Sequence, residues 1–280
     1  MQAIRFVTYL APNLYPTYYY VAHYVGEKVG MPTTLIVGHA FSEFAEGQVD
    51  VAFICGLPYV NMADEPSCPI ELLVAPVLLG ERYQHRPVYF SDVVVRRKSS
   101  YTSFDDLQGC KWAYNQRESH SGWNNVCYSM LERGHSQGDR KGRPYPTRKA
   151  LDFFGELIET GSHLRSIEKV LDGQADATAV DSQVLDVLFA NDSRVAAELR
   201  VIDMLGPSSI PPVVIARRVD AGLKRAIGEA LLSMHNDPLA ARALSAGAIE
   251  RFVQVSDEDY WDIRMIRDRA GAVNWALLAE

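Results

Sequence analysis

The chain has 280 residues, of which 48% are hydrophobic and 22% are charged, and its formal net charge at pH 7 is −7. This length exceeds the usual size of one domain, so two domains with sizeable cores are expected. The negative charge argues against nucleic acid or an anionic membrane surface as the main partner. A small anion is still possible as a ligand, because its binding depends on nearby hydrogen-bond donors and not on the net charge.

The first 85 residues alternate between apolar strands and amphipathic helices. Strands are predicted at 3–9, 33–37, 49–55 and 72–79, and helices at 16–29, 42–46 and 57–64. Pro16 opens the first helix at a position where its missing N–H does no harm. The βαβαβ order favours a mostly parallel sheet flanked by helices.

The pattern continues in the middle of the chain and then closes with helices. Further strands are predicted at 88–96, 111–114, 175–180, 199–203 and 213–216, helices at 124–133, 182–190, 220–235 and 258–269, and a polar loop at 134–146. Residues 205–212 hold three prolines and a glycine, which is typical of a hinge or linker. We therefore predict an inserted lobe at 88–204 and a discontinuous lobe formed by 1–87 and 205–280. Two such connections favour hinge closure around a ligand.

Neither terminal signals nor cysteines indicate a membrane or metal protein. No apolar run reaches the roughly 18 residues that a bilayer span needs. The N-terminus lacks a basic segment followed by an apolar one, which indicates either the cytoplasm or a leader removed before residue 1. The four cysteines have no metal-ligand spacing and are interpreted as buried free thiols, with a Cys110–Cys127 or Cys55–Cys68 disulfide as the alternative. We predict no cofactor and no metal.

The segment 155–181 carries the strongest functional signal. Thr160, Gly161, Ser162 and His163 form a polar turn at the start of a short amphipathic helix, and Asp181 follows the next apolar strand. Open α/β sheets bind ligands at helix N-termini and at the carboxyl ends of strands. The segment therefore predicts a receptor for a small molecule, in the first place an anion.

A second polar turn precedes the helix predicted at 124–133. Ser119, His120, Ser121 and Gly122 combine two hydroxyls with the N–H groups of a helix start, and the glycine allows close approach of the backbone. This combination suits an anion cradle. Ser119 is equally well interpreted as a simple helix cap.

Together these segments resemble the phosphate, phosphite and phosphonate substrate-binding proteins of ABC importers, over about residues 3–235. The matching segments are 47–53, 104–109, 119–122, 161–163, 172–177 and Asp181. The resemblance implies an α/β fold of the two-lobed type II periplasmic-binding-protein class, with an oxyanion held in the cleft between the lobes. In that family, turns like 119–122 and the turn at His163 supply donors to the oxyanion. His120 stands where the family usually has threonine.

Further ligand contacts follow by analogy. Asp181 is predicted to accept from a ligand hydroxyl or ammonium, or alternatively to cap the helix that begins at Ser182. The remaining candidates, which face the ligand from the first lobe, are Tyr9, Tyr15, Ser42 and Tyr59. Weaker candidates in that lobe are Asn13, Thr17, Arg82 and Tyr83, whereas Tyr18, Tyr19 and Tyr20 are interpreted mainly as core.

The predicted function is non-catalytic binding of a small anionic or zwitterionic ligand, such as phosphate or a phosphonate. If the chain is exported, its partner is an ABC permease and its compartment the periplasm. The alternative is a cytoplasmic enzyme on the same scaffold, as in menaquinone or thiamine biosynthesis, for which Ser119, His120, His163 and Asp181 contain the ingredients. No G-x-S-x-G elbow supports that alternative. Two further alternatives have less support: a cytoplasmic sensory or scaffold module, and a zinc site at His120, His163 and Asp181.

Overall fold

The computed structural model describes residues 3–133 and 153–271, and the polar loop predicted at 134–146 lies outside them. The chain divides into two compact units, Met1–Tyr89 with Ser208–Trp261 and Phe90–Pro207 with Asp262–Glu280. The sequence placed all of 205–280 in the first lobe. The final helix instead belongs to the second unit, because its Ala270 packs in the core of that unit. The lobe boundaries as limits of independent domains stay a prediction.

Strands and helices alternate along most of the described residues. The strands are β1 (Ile4–Thr8), β2 (Thr33–Val37), β3 (Val51–Phe53), β4 (Ile70–Leu78), β5 (Val88–Arg96), β6 (Lys111–Tyr114), β7 (Glu156–Glu159), β8 (Ala177–Asp181), β9 (Leu199–Ser209), β10 (Val213–Ala216) and β11 (Ile249–Val253). The α-helices are α1 (Tyr15–Val29), α2 (Ser42–Ala45), α3 (Gly56–Ala63), α4 (Asn125–Glu132), α5 (His163–Leu171), α6 (Ser182–Asn191), α7 (Ser193–Glu198), α8 (Ala221–Ser233), α9 (Pro238–Ala246) and α10 (Trp261–Gly271).

The first unit is built on a mixed sheet with the strand order β11-β4-β10-β3-β1-β2. β1 pairs in parallel with β2 and β3, whereas β10 runs antiparallel to β3 and β4. Its central strands are apolar because both faces are covered. Val51, Ala52 and Phe53 are all buried, and α1 packs against β2, α8 and α9.

The second unit is built on a mixed sheet with the strand order β7-β6-β8-β5-β9. β6 pairs in parallel with β7 and with β8, and β5 runs antiparallel to β8. Its core is aromatic: Trp112 on β6 stacks on Phe154 at a centroid distance of 4.6 Å, and Phe104 meets Trp112 edge to face. The parallel arrangement of β7, β6 and β8 brings their carboxyl ends to one edge.

Residues 205–212 are predicted as a hinge or linker, and their secondary structure differs from that expectation. β9 continues through the first part of this stretch as far as Ser209, and the boundary between the two compact units falls within it, after Pro207. Proline in a strand is tolerated at a sheet edge, where its missing N–H breaks no ladder, and β9 is the edge strand of its sheet. The sequence also missed β7, α7, α9 and β11. None of the described helices has the length and apolarity needed to span a membrane.

Candidate functional site

The polar turns predicted from the sequence meet at the carboxyl edge of the second sheet. Ser119–Gly122 follow β6, His163 begins the helix after β7, and Asp181 ends β8. These three strands are parallel and adjacent, so the segments that follow them are brought together. This is the edge at which open α/β sheets bind ligands.

The turn after β6 is buried and closely hydrogen-bonded. It forms a π-helical turn, His120–Asn124, which continues directly into α4. Ser119 has an extended backbone and its Oγ accepts from the Gly122 N–H at 3.0 Å, so it caps the turn. Single π-helical turns are frequent at functional sites. The hydrogen bond from Gly122 confirms Ser119 as a cap, and contacts of Ser119 and Ser121 with a ligand stay a prediction.

Ser121 and His163 lie side by side. Ser121 Oγ is 3.1 Å from His163 Nε2, although the two residues are 42 positions apart in the chain. Ser162 sets the position of the ring, because its side chain accepts from the Arg165 N–H and so begins α5 at His163. The structure thus joins two polar turns that the sequence identified separately.

Asn115 is a third member of this cluster, and sequence reasoning missed it. It is buried directly after β6, and its Nδ2 is 3.5 Å from His163 Nε2. Its carboxamide lies against the backbone of Gly122, where an added Cβ would stand 2.0 Å from Asn115 Oδ1. A larger residue at position 122 would therefore displace the side chain of Asn115. The available signal was the position of a polar residue immediately after a predicted strand.

Both histidines of the cluster are held neutral near neutral pH. Burial lowers the pKa of His120 to about 3. Burial also lowers the pKa of His163 to about 4, against a smaller opposite effect of a hydrogen bond with the backbone of Ala179. Removal from water disfavours the charged imidazolium. An anion placed beside either ring would raise its pKa again.

Asp181 performs the capping role that the sequence offered as one of two alternatives. Its Oδ1 accepts from the Gln183 N–H at 2.8 Å and from the Val184 N–H at 3.4 Å, at the start of α6. Burial raises the pKa of this carboxyl to about 7, with Asp92 and Asp186 adding to the rise and the two N–H groups opposing it. Asp181 is therefore an unusually basic carboxylate at the same sheet edge as Ser121 and His163.

The four predicted contacts of the first unit follow β1, β2 and β3. Three of them are tyrosines whose hydroxyls already donate within the unit: Tyr9 to Glu43 Oε2 at 2.6 Å, Tyr15 to the Leu35 carbonyl at 3.0 Å, and Tyr59 to Asp257 Oδ1 at 2.6 Å. Ser42 is exposed at the start of α2. In this structure the three tyrosine hydroxyls bond other residues of the first unit, and their contact with a ligand stays a prediction.

Of the weaker candidates in the first unit, some are buried by packing and others are exposed. Thr17 is buried against Gly247, where an added Cβ would stand 2.5 Å from its Cγ2. Tyr18 stacks on Phe53 in the core, as predicted, whereas Tyr19 is exposed. Arg82 lies over the ring of Tyr83, with 4.8 Å between its Cζ and the ring centroid.

Two further predictions concern the state of the cysteines and a metal site. All four cysteines are free, but only Cys110 and Cys127 are buried as predicted, whereas Cys55 and Cys68 are partly exposed. Across 3–133 and 153–271, no group of three His, Cys, Asp or Glu side chains has the arrangement of a metal site.

The fold, with two units each built on a mixed sheet flanked by helices, is that of the type II periplasmic binding proteins. The family profile described as "ABC transporter, phosphonate, periplasmic substrate-binding protein" matches residues 6–260. The chain therefore belongs to the phosphonate-binding family of periplasmic substrate-binding proteins of ABC transporters. Its members are solute-binding proteins, so the receptor interpretation holds and nothing supports the enzyme alternative.

Solved structures agree in fold at low sequence identity. A binding protein component of an ABC phosphonate transporter from Pseudomonas aeruginosa superimposes with a TM-score of 0.79 and 15% identity, covering 99% of this chain and 90% of that one. PhnD1 from Prochlorococcus marinus, in complex with methylphosphonate, has a TM-score of 0.77 and 13% identity, covering 96% and 98%. Among sequence relatives, a transferrin from Blaberus discoidalis is 27% identical over 89 residues, which are 32% of this chain and 12% of the transferrin.

Proposed function

We propose that the cluster at the carboxyl edge of the second sheet binds the oxyanion of a phosphonate. In this proposal the hydroxyl of Ser121 and the N–H groups of the turn that follows Ser119 donate to the phosphonate oxygens. The observation that carries the proposal is the 3.1 Å contact between Ser121 Oγ and His163 Nε2, because it unites two donor turns at one ligand-binding edge. Gly122 lets the Asn115 side chain pack against the turn, since an added Cβ would collide with it.

Asp181 extends the proposal to the organic part of the ligand. Its Oδ1 is used by the cap of α6, so we assign the second carboxylate oxygen to an ammonium or hydroxyl of the ligand. A cation beside a carboxyl stabilises its charged form. An aminoalkyl phosphonate therefore matches both ends of this site better than inorganic phosphate does.

The transport role follows from family membership. We propose that the protein acts in the periplasm and delivers its ligand to an ABC permease. Methylphosphonate is the ligand named for the Prochlorococcus marinus neighbour, and it is the natural first probe for this chain. Inorganic phosphate and 2-aminoethylphosphonate complete the set.

The test is isothermal titration calorimetry of these three compounds with the wild-type chain and with Ser121→Ala and His163→Ala. A hydrogen bond to a charged partner contributes about 1.5–3 kcal/mol, so each variant is expected to weaken phosphonate binding by about 10- to 100-fold. Ser233→Ala and His235→Ala, at exposed positions of the first unit, are the matched controls and should bind as the wild type does. Unchanged affinity in both site variants would refute the assignment.

A further inference from the structure

Asn115 contacts both polar turns from its position directly after β6. Its backbone carbonyl accepts from the Gly161 N–H at 2.7 Å, which holds the turn that leads to His163. Its side-chain Nδ2 lies 3.5 Å from His163 Nε2. The same side chain lies against Gly122, in the turn that contains Ser121. One residue thus joins the two turns whose meeting carries the proposed function.

The fit between Asn115 and Gly122 is close. An added Cβ at position 122 would stand 2.0 Å from Asn115 Oδ1 and 2.8 Å from its Cγ, whereas the next atom, Ser119 Oγ, would be 3.2 Å away. Gly122 lies within the π-helical turn and not in the left-handed region, so its backbone conformation alone does not require glycine. The missing side chain at 122 therefore makes room for the carboxamide of Asn115.

The carboxamide oxygen of Asn115 gives a second, independent indication. Within the ranges that the structure describes, Asn115 Oδ1 is a buried oxygen without a hydrogen-bond partner. An unsatisfied buried acceptor costs free energy, so folding stability by itself does not favour an amide at this position. Real proteins accept such costs mainly at functional sites. The contacts of Asn115 with the two turns indicate what that function is.

We infer that Asn115 is a positioning residue of the ligand site, which holds the turn of Ser121 against His163 so that the donors of the turn converge on the phosphonate oxygens. Its Oδ1 is enclosed against Gly122, and its effect on the ligand passes through Ser121. Donors that are already in place lose less conformational freedom when the ligand binds, and this raises the affinity. The inference rests on the proposed function, since it concerns the same site.

The first test is whether Asn115 acts through Ser121. A residue that only positions a hydroxyl loses its effect when that hydroxyl is absent. We therefore expect Asn115→Ala to weaken methylphosphonate binding by about tenfold in the wild-type chain, but by less than about threefold in Ser121→Ala. Isothermal titration calorimetry of the wild type, both single variants and the double variant measures these factors.

The matched control for this cycle is Asn191→Ala. Asn191 lies at the other end of α6 from Asp181 and donates to the Val187 carbonyl at 2.8 Å, so the variant should bind as the wild type does. Asn115→Ser also lacks the carboxamide and should repeat the result of Asn115→Ala. Unchanged affinity in the Asn115 variants, or equal losses with and without Ser121, overturns the inference and leaves the proposed function intact. A wild type that does not bind methylphosphonate overturns both.

The fit at position 122 provides a second test. Gly122→Ala is expected to weaken binding by about tenfold or more, because the new Cβ displaces the carboxamide of Asn115, and by less than about threefold in Asn115→Ala, where the collision is absent. Gly228→Ala on α8 is the matched control, since its Cβ would meet Leu73 Cδ1 at 3.4 Å, an ordinary contact.

Circular dichroism shows whether the variants at position 122 fold. A Gly122→Ala chain that unfolds, together with a folded Gly122→Ala/Asn115→Ala chain, supports the inference, because removing the carboxamide then restores the turn. Losses of equal size in both backgrounds, or unfolding of both chains, overturn it, because the glycine would then be needed for a reason other than Asn115.

Discussion

At the scale of single residues, Asp181 shows how one side chain combines a structural and a proposed binding role. Its Oδ1 satisfies two N–H groups at the start of α6, which a helix end needs wherever it is buried. The rest of the carboxyl lies in a buried environment that also contains Asp92. Ionising the buried Asp181 carboxyl therefore costs free energy, and a cationic group of the ligand would lower that free energy.

The raised pKa of Asp181 predicts a specific pH dependence of stability. An ordinary aspartate has a pKa of about 3.9 in the unfolded chain, and burial raises that of Asp181 to about 7 in the folded protein. Between these values the folded state binds more protons than the unfolded state, so the contribution of Asp181 to stability falls as the pH rises. We expect the free energy of unfolding of Asp181→Asn, relative to that of the wild type, to be about 2 kcal/mol more favourable at pH 7 than at pH 5.

Urea unfolding of the wild type and Asp181→Asn at both pH values measures this gain. Asp220→Asn is the matched control, because Asp220 caps α8 in the same way from an exposed position. A gain of the same size in the control variant would contradict the explanation from burial.

At the scale of secondary-structure elements, the two edges of the first sheet have different tasks. The carboxyl edge carries Tyr9 and Tyr59, which are candidate ligand contacts. At the amino edge, Asp50 accepts from the backbone N–H and guanidinium of Arg5 on β1, and from Arg218 after β10. This bridge joins three adjacent strands of the sheet, β10, β3 and β1. It is structural rather than functional.

The bridge at Asp50 predicts a loss of stability that depends on pH. Burial tends to raise the pKa of Asp50, but the hydrogen bonds from Arg5 and Arg218 outweigh it and hold the pKa below its usual value. The stabilisation is therefore present above the unfolded pKa of about 3.9 and disappears as the pH falls through the folded value. We expect Asp50→Asn to lose roughly 1–3 kcal/mol at pH 7.

The measurement is urea unfolding at pH values from 7 down to 2, with exposed Glu65→Gln as the control, for which a change within about 0.5 kcal/mol is expected. A loss that stays the same size down to pH 2 would show that the charge of Asp50 is not the cause.

At the scale of the whole molecule, the chain is a binding protein made of two compact units. A ligand that binds only the folded state stabilises it according to its concentration relative to Kd. We expect methylphosphonate at 100 times its Kd to add about 2.7 kcal/mol and to raise Tm by several degrees. Differential scanning calorimetry measures the shift, and Ser121→Ala at the same ligand concentration should show a smaller one. An unchanged Tm at a concentration that saturates the site would be incompatible with this linkage.

Local signals in the sequence predicted much of the fold. The bounds of β2, β5, β6 and β10 agree with the prediction, because each is a compact apolar run that ends at turn residues. The continuation of β9 through Pro207 was missed, because proline normally ends a strand. What permits it is the edge position of β9, and strand order is a property of the whole sheet.

In the candidate site, too, some features follow from the local sequence and others only from the tertiary structure. The turn 119–122, His163 and Asp181 were found from the sequence because helix caps and strand ends are set by neighbouring residues. The contact of Ser121 with His163, and the addition of Asn115, depend on β6 lying between β7 and β8. The sequence alone thus identified the polar turns and the strand end that carry these candidate residues. Only the tertiary structure decided which of them share one edge, because pairing between distant strands is a collective result of packing.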